Sequence, residues 1–252
     1  VALLPRSRRP RPTRDELVPL IGRWLAAWPS LTFTERDRLV DLSEVLVHEL
    51  RWEAAREFEI TDDMRAAIAS HAALLVLGFD DGLDSYLDVT SVIVHPSTIV
   101  RSGTRYVGGG LFTADEDFLI GEAHHQGPVL VAWDAAAQQA MQPTFGDNVL
   151  FHEFAHRLDM LDGISDGTPP LADPDELWAW AEVCTSSLER VRRREAPSVL
   201  RSYAATNPSE FFAVATEVFF TRPVALREED GQLYQVLRNY FRQDPAARPH
   251  VE

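Results

Sequence analysis

Apolar residues recur at helical spacing along most of the chain. Leu17, Leu20, Ile21, Trp24 and Leu25 share one face of a helix predicted over 15–28, and the same period predicts two or three more helices through about residue 78. Thr34-Glu35-Arg36 and Thr61-Asp62-Asp63 read as helix starts. The period then changes: short strands are predicted over 92–97, 105–107 and 128–133, joined by turn-rich links such as Gly108-Gly109-Gly110. Helical spacing returns over 135–141, 147–161, 174–194, 208–221 and 229–243. Helices, then strands, then helices predict an α+β fold, mainly helical, with a small mixed β-sheet. Trp24, Trp28, Trp52, Trp178 and Trp180 are expected to pack the interior.

The stretch Pro5–Arg14 holds five Arg and three Pro in ten residues and cannot build a core, so a disordered basic tail is expected at 1–14. Residues 15–252 are expected to form one compact domain, a helical segment at 15–80 packed on a catalytic core at 81–252. Length and a 45% hydrophobic content allow a sizeable core. The net charge of −15, from 24 basic and 39 acidic residues, argues against nucleic acid and anionic membrane as partners. No apolar run approaches the roughly 20 residues that span a bilayer, and no signal-peptide pattern opens the chain. Cys184 is the only cysteine, which excludes an intrachain disulfide and a Cys-based zinc site and fits a cytoplasmic location.

The densest chemistry lies at His152-Glu153-Phe154-Ala155-His156, an HExxH motif inside an apolar run. Residues four apart stack on one helix face, so His152 and His156 can present their rings to one metal ion, with Glu153 placed to take a proton from the water that the metal activates. Two imidazoles and a carboxylate are costly to bury unpaired, and a metal removes that cost.

Catalytic zinc usually takes three protein ligands, which demands one more downstream. Asp162 would give a metzincin-like spacing. That arrangement needs a chain reversal where this sequence has Asp159 instead of Gly, and a Met beyond the motif's turn, whereas Met64, Met141 and Met160 all lie earlier. The alternative is the apolar helix after Asn207-Pro208, in which Glu210 and Glu217 are seven apart and on nearly the same face.

The segments HEFAHRLDMLDG (152–163), DGTPPL (166–171) and YAATNPSEFFAVATEVFF (203–220), with weaker support from GEAHHQGPVLVAW (121–133), resemble the Mlc titration factor A family of zinc-dependent peptidases. More distantly they resemble the catalytic domain of anthrax lethal factor. Together these segments cover most of residues 90–225. The resemblance implies a zincin-like fold with an HExxH active-site helix and a gluzincin-like set of zinc ligands, His152, His156 and Glu210. Glu153 would be the general base, Tyr203 would lie near the oxyanion, and Glu217 would orient a ligand or serve as the fallback ligand. For some members it also implies aminopeptidase activity and binding of a transcriptional repressor of sugar uptake. The substrate class it implies is a peptide or protein.

One of Asp159, Asp162 and Asp166 is expected to orient an imidazole, although Asp162-Gly163 and Asp166-Gly167 also read as turns. His124 and His125 precede a predicted strand and read as loop residues that can line a cleft. Loops around 103–127 and 164–173 are candidates for a cover over the site.

Overall fold

The computed structural model describes residues 11–55, 58–96, 105–106, 112–113, 127–142, 146–194 and 198–249. The first helix, α1 (Arg14–Trp24), begins one residue before the expected start because Thr13 caps it, its backbone N–H and hydroxyl both donating to the Glu16 carboxylate. Of the expected tail, 1–10 lie outside the described residues. Arg11 donates to the Leu50 carbonyl at 3.3 Å, and Arg14 pairs with Asp37 and Asp41 on the next helix, α2 (Phe33–Glu49). Helix α3 (Asp62–Leu75) is apolar nearly all round and accordingly lies inside the protein, with Ala66, Ala67, Ile68, Ala69, Ala72, Ala73, Leu74 and Leu75 fully buried. Its alanines let α1, α2 and the helix that carries the HExxH motif approach it closely.

The strands differ from expectation in two ways. β1 (Arg51–Ala54) follows α2 directly, inside the stretch read as helical. Its four residues, Arg-Trp-Glu-Ala, carry too short a pattern to signal a strand, which forms through pairing with β2 (Ser91–His95). Nor is the sheet mixed. β1, β2 and β5 (Val129–Ala132) are all parallel, in the order β1-β2-β5, with Arg51 opposite Ser91 and Val92 opposite Val129. The crossover through α3 returns the chain to the end where β1 began, which parallel pairing requires. β3 (Arg105–Tyr106) and β4 (Phe112–Thr113) form a separate antiparallel pair.

β5 runs straight into α4 (Trp133–Met141), which is followed by α5 (Val149–Asp159), α6 (Pro174–Arg193) and α7 (Pro208–Thr221). The expected helix over 229–243 is α9 (Gly231–Phe241), and a short helix not expected from the sequence, α8 (Pro223–Glu229), precedes it. Asp230 separates them and caps α9 by accepting from the Leu233 N–H at 3.0 Å. Trp180 is buried against Phe212 and Tyr240, and donates its indole N–H to the Gly167 carbonyl at 3.0 Å. Trp178, expected inside, is 76% exposed. Positions two apart on a helix point to opposite sides, so seating Trp180 in the core turns Trp178 outward. Among the described residues no helix is long and apolar enough to cross a membrane.

Candidate metal centre

Two helices build the site. α5 carries the HExxH residues, and its buried face, Val149, Leu150, Phe154, Ala155 and Leu158, fixes its rotation against the core. Asn148 is its N-cap, the side chain accepting from the Leu150 and Phe151 N–H groups at 3.1 Å each. α7 packs along α5 and is buried over almost its whole length. It starts with Asn207, whose side chain accepts the Glu210 N–H at 2.8 Å, and with Pro208 at a position where no N–H is needed. This cap places Glu210 in the first turn, facing α5.

His152 Nε2 lies 3.1 Å from His156 Nε2 and 3.1 Å from Glu210 Oε2, and His156 Nε2 lies 3.7 Å from the same oxygen. A tetrahedral ion with bonds of about 2.0–2.2 Å holds its ligand atoms about 3.3–3.6 Å apart, so the three atoms have the spacing of one ion's ligands. The hydrogen bonds behind the rings give the same picture. His152 Nδ1 is 2.6 Å from Glu217 Oε1, and His156 Nδ1 is 3.1 Å from Ser209 Oγ, whose proton goes to Asp159 Oδ2 at 2.6 Å. Both Nδ1 atoms therefore carry the proton, and both Nε2 atoms turn lone pairs towards the Glu210 oxygen. That oxygen is itself buried without a hydrogen-bond partner. Three converging lone pairs out of water are unfavourable unless a cation sits among them. Without a metal a proton meets part of that demand: burial lowers the His152 pKa, but Glu210 and Glu217 outweigh it and push it up to about 9, so a metal would take the place of this proton. Burial raises the Glu210 carboxyl, and the two histidines pull it well below the ordinary carboxylate range. The spot favours positive charge, and the donor set is one that a divalent metal takes.

Glu153 is half-buried beside the cluster; burial raises its carboxyl above the usual range, opposed by His152 and His156. Tyr203 stands in a short 3-10 turn (Ser202–Ala205) before α7, its ring centroid 6.1 Å from that of His152. Burial and the neighbouring Glu210 and Glu153 carboxylates raise its hydroxyl far above the ordinary phenol value. All five expected site residues are thus brought together.

Glu217 is not a member of the tripod. Fully buried, it backs His152, and it accepts the Asn148 N–H at 2.6 Å and two bonds from the Arg201 guanidinium at 2.7 Å each. Arg201 also reaches Asp147 at 3.1 Å and lies 5.7 Å from the Tyr203 ring centroid. Of the three aspartates, Asp159 orients a ring, acting on His156 through Ser209, with Ser165 completing the group. Asp162 and Asp166 accept the Ile164 and Thr168 N–H groups at 2.9 Å each, as turn residues do, and Asp162 stands outside the tripod. Sequence reasoning missed Arg201 and Ser209. An isolated Arg and a helix-start Ser carry no local signal, and their partners are more than fifteen residues away in the chain. His124, His125 and most of 103–127 lie outside the described residues, whereas 164–173 is held down by Trp180 and Ser165.

A His-His-Glu tripod, its first histidine fully buried and with a further acid beside it, is a group that could hold one metal ion. The family of glucose-regulated metallopeptidases designated M90 matches residues 5–242. An uncharacterized protein of Synechocystis is 30% identical over 239 residues, covering 93% of this chain and 86% of that protein. Mlc titration factor A of Yersinia pestis and that of Yersinia pseudotuberculosis are each 31% identical over 225 residues, covering 85% of this chain and 80% of theirs. The chain belongs to this metallopeptidase family, the Mlc titration factor A family.

Proposed function

We propose that the chain is a zinc-dependent peptidase of zincin-like fold, with His152, His156 and Glu210 as the metal ligands, Glu153 as general base and Tyr203 as oxyanion donor. The observation that carries this reading is the convergence of three potential ligand atoms within 3.7 Å, beside a further acid from the same helix turn. Zinc, when bound, supplies a Lewis acid that polarises a peptide carbonyl and makes water acidic enough to ionise near neutral pH. Glu153 accepts the proton of the attacking water and returns it to the leaving amine. Tyr203, its hydroxyl protonated throughout the physiological range, donates to the developing oxyanion, an interaction worth about 3 kcal/mol. Among the described residues β5 pairs only with β2, which leaves a backbone edge beside α5 where an extended peptide can add as a strand. Residues 15–252 act in this reading as one unit in the cytoplasm, and aminopeptidase action is its exopeptidase form.

The test is metal content together with hydrolysis of amino-acid anilides and short peptides by wild type and Glu153→Gln. Stoichiometric zinc in both, with turnover in wild type alone, is expected. Equal turnover in both would remove the base assignment. A second reading draws on the relatives' printed name, titration factor of Mlc: the chain binds a transcriptional repressor, and the metal site is secondary. Tight repressor binding by a chain that holds zinc and cleaves no peptide would favour it.

A further inference from the structure

Beyond the tripod, the loop 162–172 and the first turns of α6 border an open groove of about 380 Å³ lined by residues that include Asp162, Pro169, Pro170, Leu171 and Leu177. Its surroundings are unusual in two respects. Large apolar side chains on the same two segments stand in water: Leu177, which lines the groove, is 42% exposed, its chain neighbour Trp178 76%, and Ile164 of the loop 56%. Exposed acids also surround it, Asp162, Asp173, Asp175 and Glu176, and none of the four is ion-paired among the described residues. From Leu158 to Glu189 the sequence contains no Lys, Arg or His. Acids in the first turn of α6 favour the helix by themselves, but that does not explain an exposed indole set among them.

The groove is tied to the metal centre. Gly167 lies so close to α7 that a Cβ there would stand 2.3 Å from the Pro208 carbonyl oxygen, two residues before Glu210. Ser165 bonds Ser209, which holds His156. Trp180, one turn of α6 from Leu177, fixes the Gly167 carbonyl from below. The apolar patch is therefore presented on a supported loop whose other side forms the backing of the tripod.

We propose that this groove docks the substrate, by a segment in which a bulky apolar side chain is flanked by Lys or Arg. The inference rests on the peptidase reading and names the substrate class for that site. The apolar side chain enters between Leu171 and Leu177 and covers Trp178. Its basic neighbours meet Asp162, Asp173, Asp175 and Glu176, and no base of the chain's own in that stretch competes for them. A segment held there rests on the loop whose other side backs the tripod, so docking is made away from the metal ligands themselves.

The experiment measures binding of fluorescent peptides to the full chain carrying Glu153→Gln, so that affinity is read without turnover. Three peptides share a length: Phe flanked by Arg, Phe flanked by Glu, and Ser flanked by Arg. The first is expected to bind at least about tenfold tighter than the others, and to lose about tenfold with Trp178→Ala or with Asp175→Asn/Glu176→Gln, as truncation of an interface tryptophan does. All these side chains are exposed, and unchanged zinc content is expected to accompany the loss, with an unchanged melt for Trp178→Ala and only the small decrease that two first-turn acids account for in the double variant. In the wild-type background the same substitutions are expected to raise KM for the Arg-flanked peptide and leave small-anilide turnover unaltered. Equal binding of the three peptides, or an affinity insensitive to Trp178→Ala and to the double acid variant, would overturn the proposal. So would a concentration-dependent dimer abolished by Trp178→Ala, which assigns the patch to a second copy of the chain. A chain that binds the Arg-flanked peptide selectively but cleaves nothing would retain the docking site and lose the peptidase reading. Anilide turnover without peptide selectivity would do the reverse.

Discussion

Arg201→Met tests whether the groups behind His152 matter as the geometry requires. Glu217 is fully buried, and its carboxylate accepts four hydrogen bonds of 2.6–2.7 Å, two of them from Arg201. Burial raises its carboxyl, and His152 and Arg201 together outweigh burial and hold it below the ordinary value. Removing the guanidinium leaves a buried carboxylate short of its one permanently charged partner. Breaking such a pair from one side costs about 3–5 kcal/mol. The lower end, about 3 kcal/mol, is expected because the Asn148 N–H and the His152 ring remain. The same loss loosens the ring, and loss of an orienting partner lowers metal affinity about 10–100-fold. Urea unfolding in the presence of a chelator reads the first quantity, and competition with a fluorescent zinc indicator reads the second. Arg201→Met/Glu217→Gln removes the uncompensated charge and keeps an acceptor for His152, so it is expected to regain at least about 1 kcal/mol over the single variant. Wild-type stability and zinc affinity in Arg201→Met, or a double variant weaker than the single one, would show that the network is incidental.

His71 supplies a pH dependence away from the metal. It is 2% exposed, with Nδ1 on the Ala67 carbonyl at 2.7 Å, and burial pushes its pKa down from 6.5 to about 4. The unfolded chain takes the proton first, so this contribution is complete above about pH 6.5. It falls by up to about 3 kcal/mol as the pH drops to about 4, and His71→Gln is expected to flatten the denaturation midpoint over that window. Gly167→Ala meets the Pro208 carbonyl and requires φ near +79°, so a loss of about 1–3 kcal/mol is expected with weakened zinc binding, both read from melts with and without metal. Zinc at a hundred times its Kd is expected to stabilise the wild type by about 2.7 kcal/mol, and a melting temperature indifferent to zinc would count against the tripod.

What the sequence revealed follows the range of its interactions. HExxH was legible because its geometry is local: four residues bring two rings onto one face whatever the rest of the chain does. The helices with a clear apolar stripe were legible for the same reason. β1 was not, because four residues of mixed character become a strand only when β2 lies alongside. Trp178 was misjudged because hydrophobicity alone does not say which of two nearby indoles the helix turns inward. Arg201 and Ser209 act across 16 and 53 residues of chain, on partners that only the packing of α5 on α7 supplies.

The pair Glu210 and Glu217 lies between these cases. Their spacing marked them as a pair on one face without saying which would meet the metal. Seven residues of helix span about 10.5 Å, enough to place one acid on each side of an imidazole that enters from a neighbouring helix. His152 fills that gap, with Nε2 3.1 Å from Glu210 and Nδ1 2.6 Å from Glu217. The acid nearer the helix start faces the second histidine as well, 3.7 Å away, and so joins the tripod. The acid two turns on meets Arg201 and the capped start of α5 and so becomes its support. Exchanging the two roles would require α7 to run in the opposite direction past α5. The ambiguity in the sequence was therefore one of helix direction, which residue spacing does not encode and tertiary packing decides.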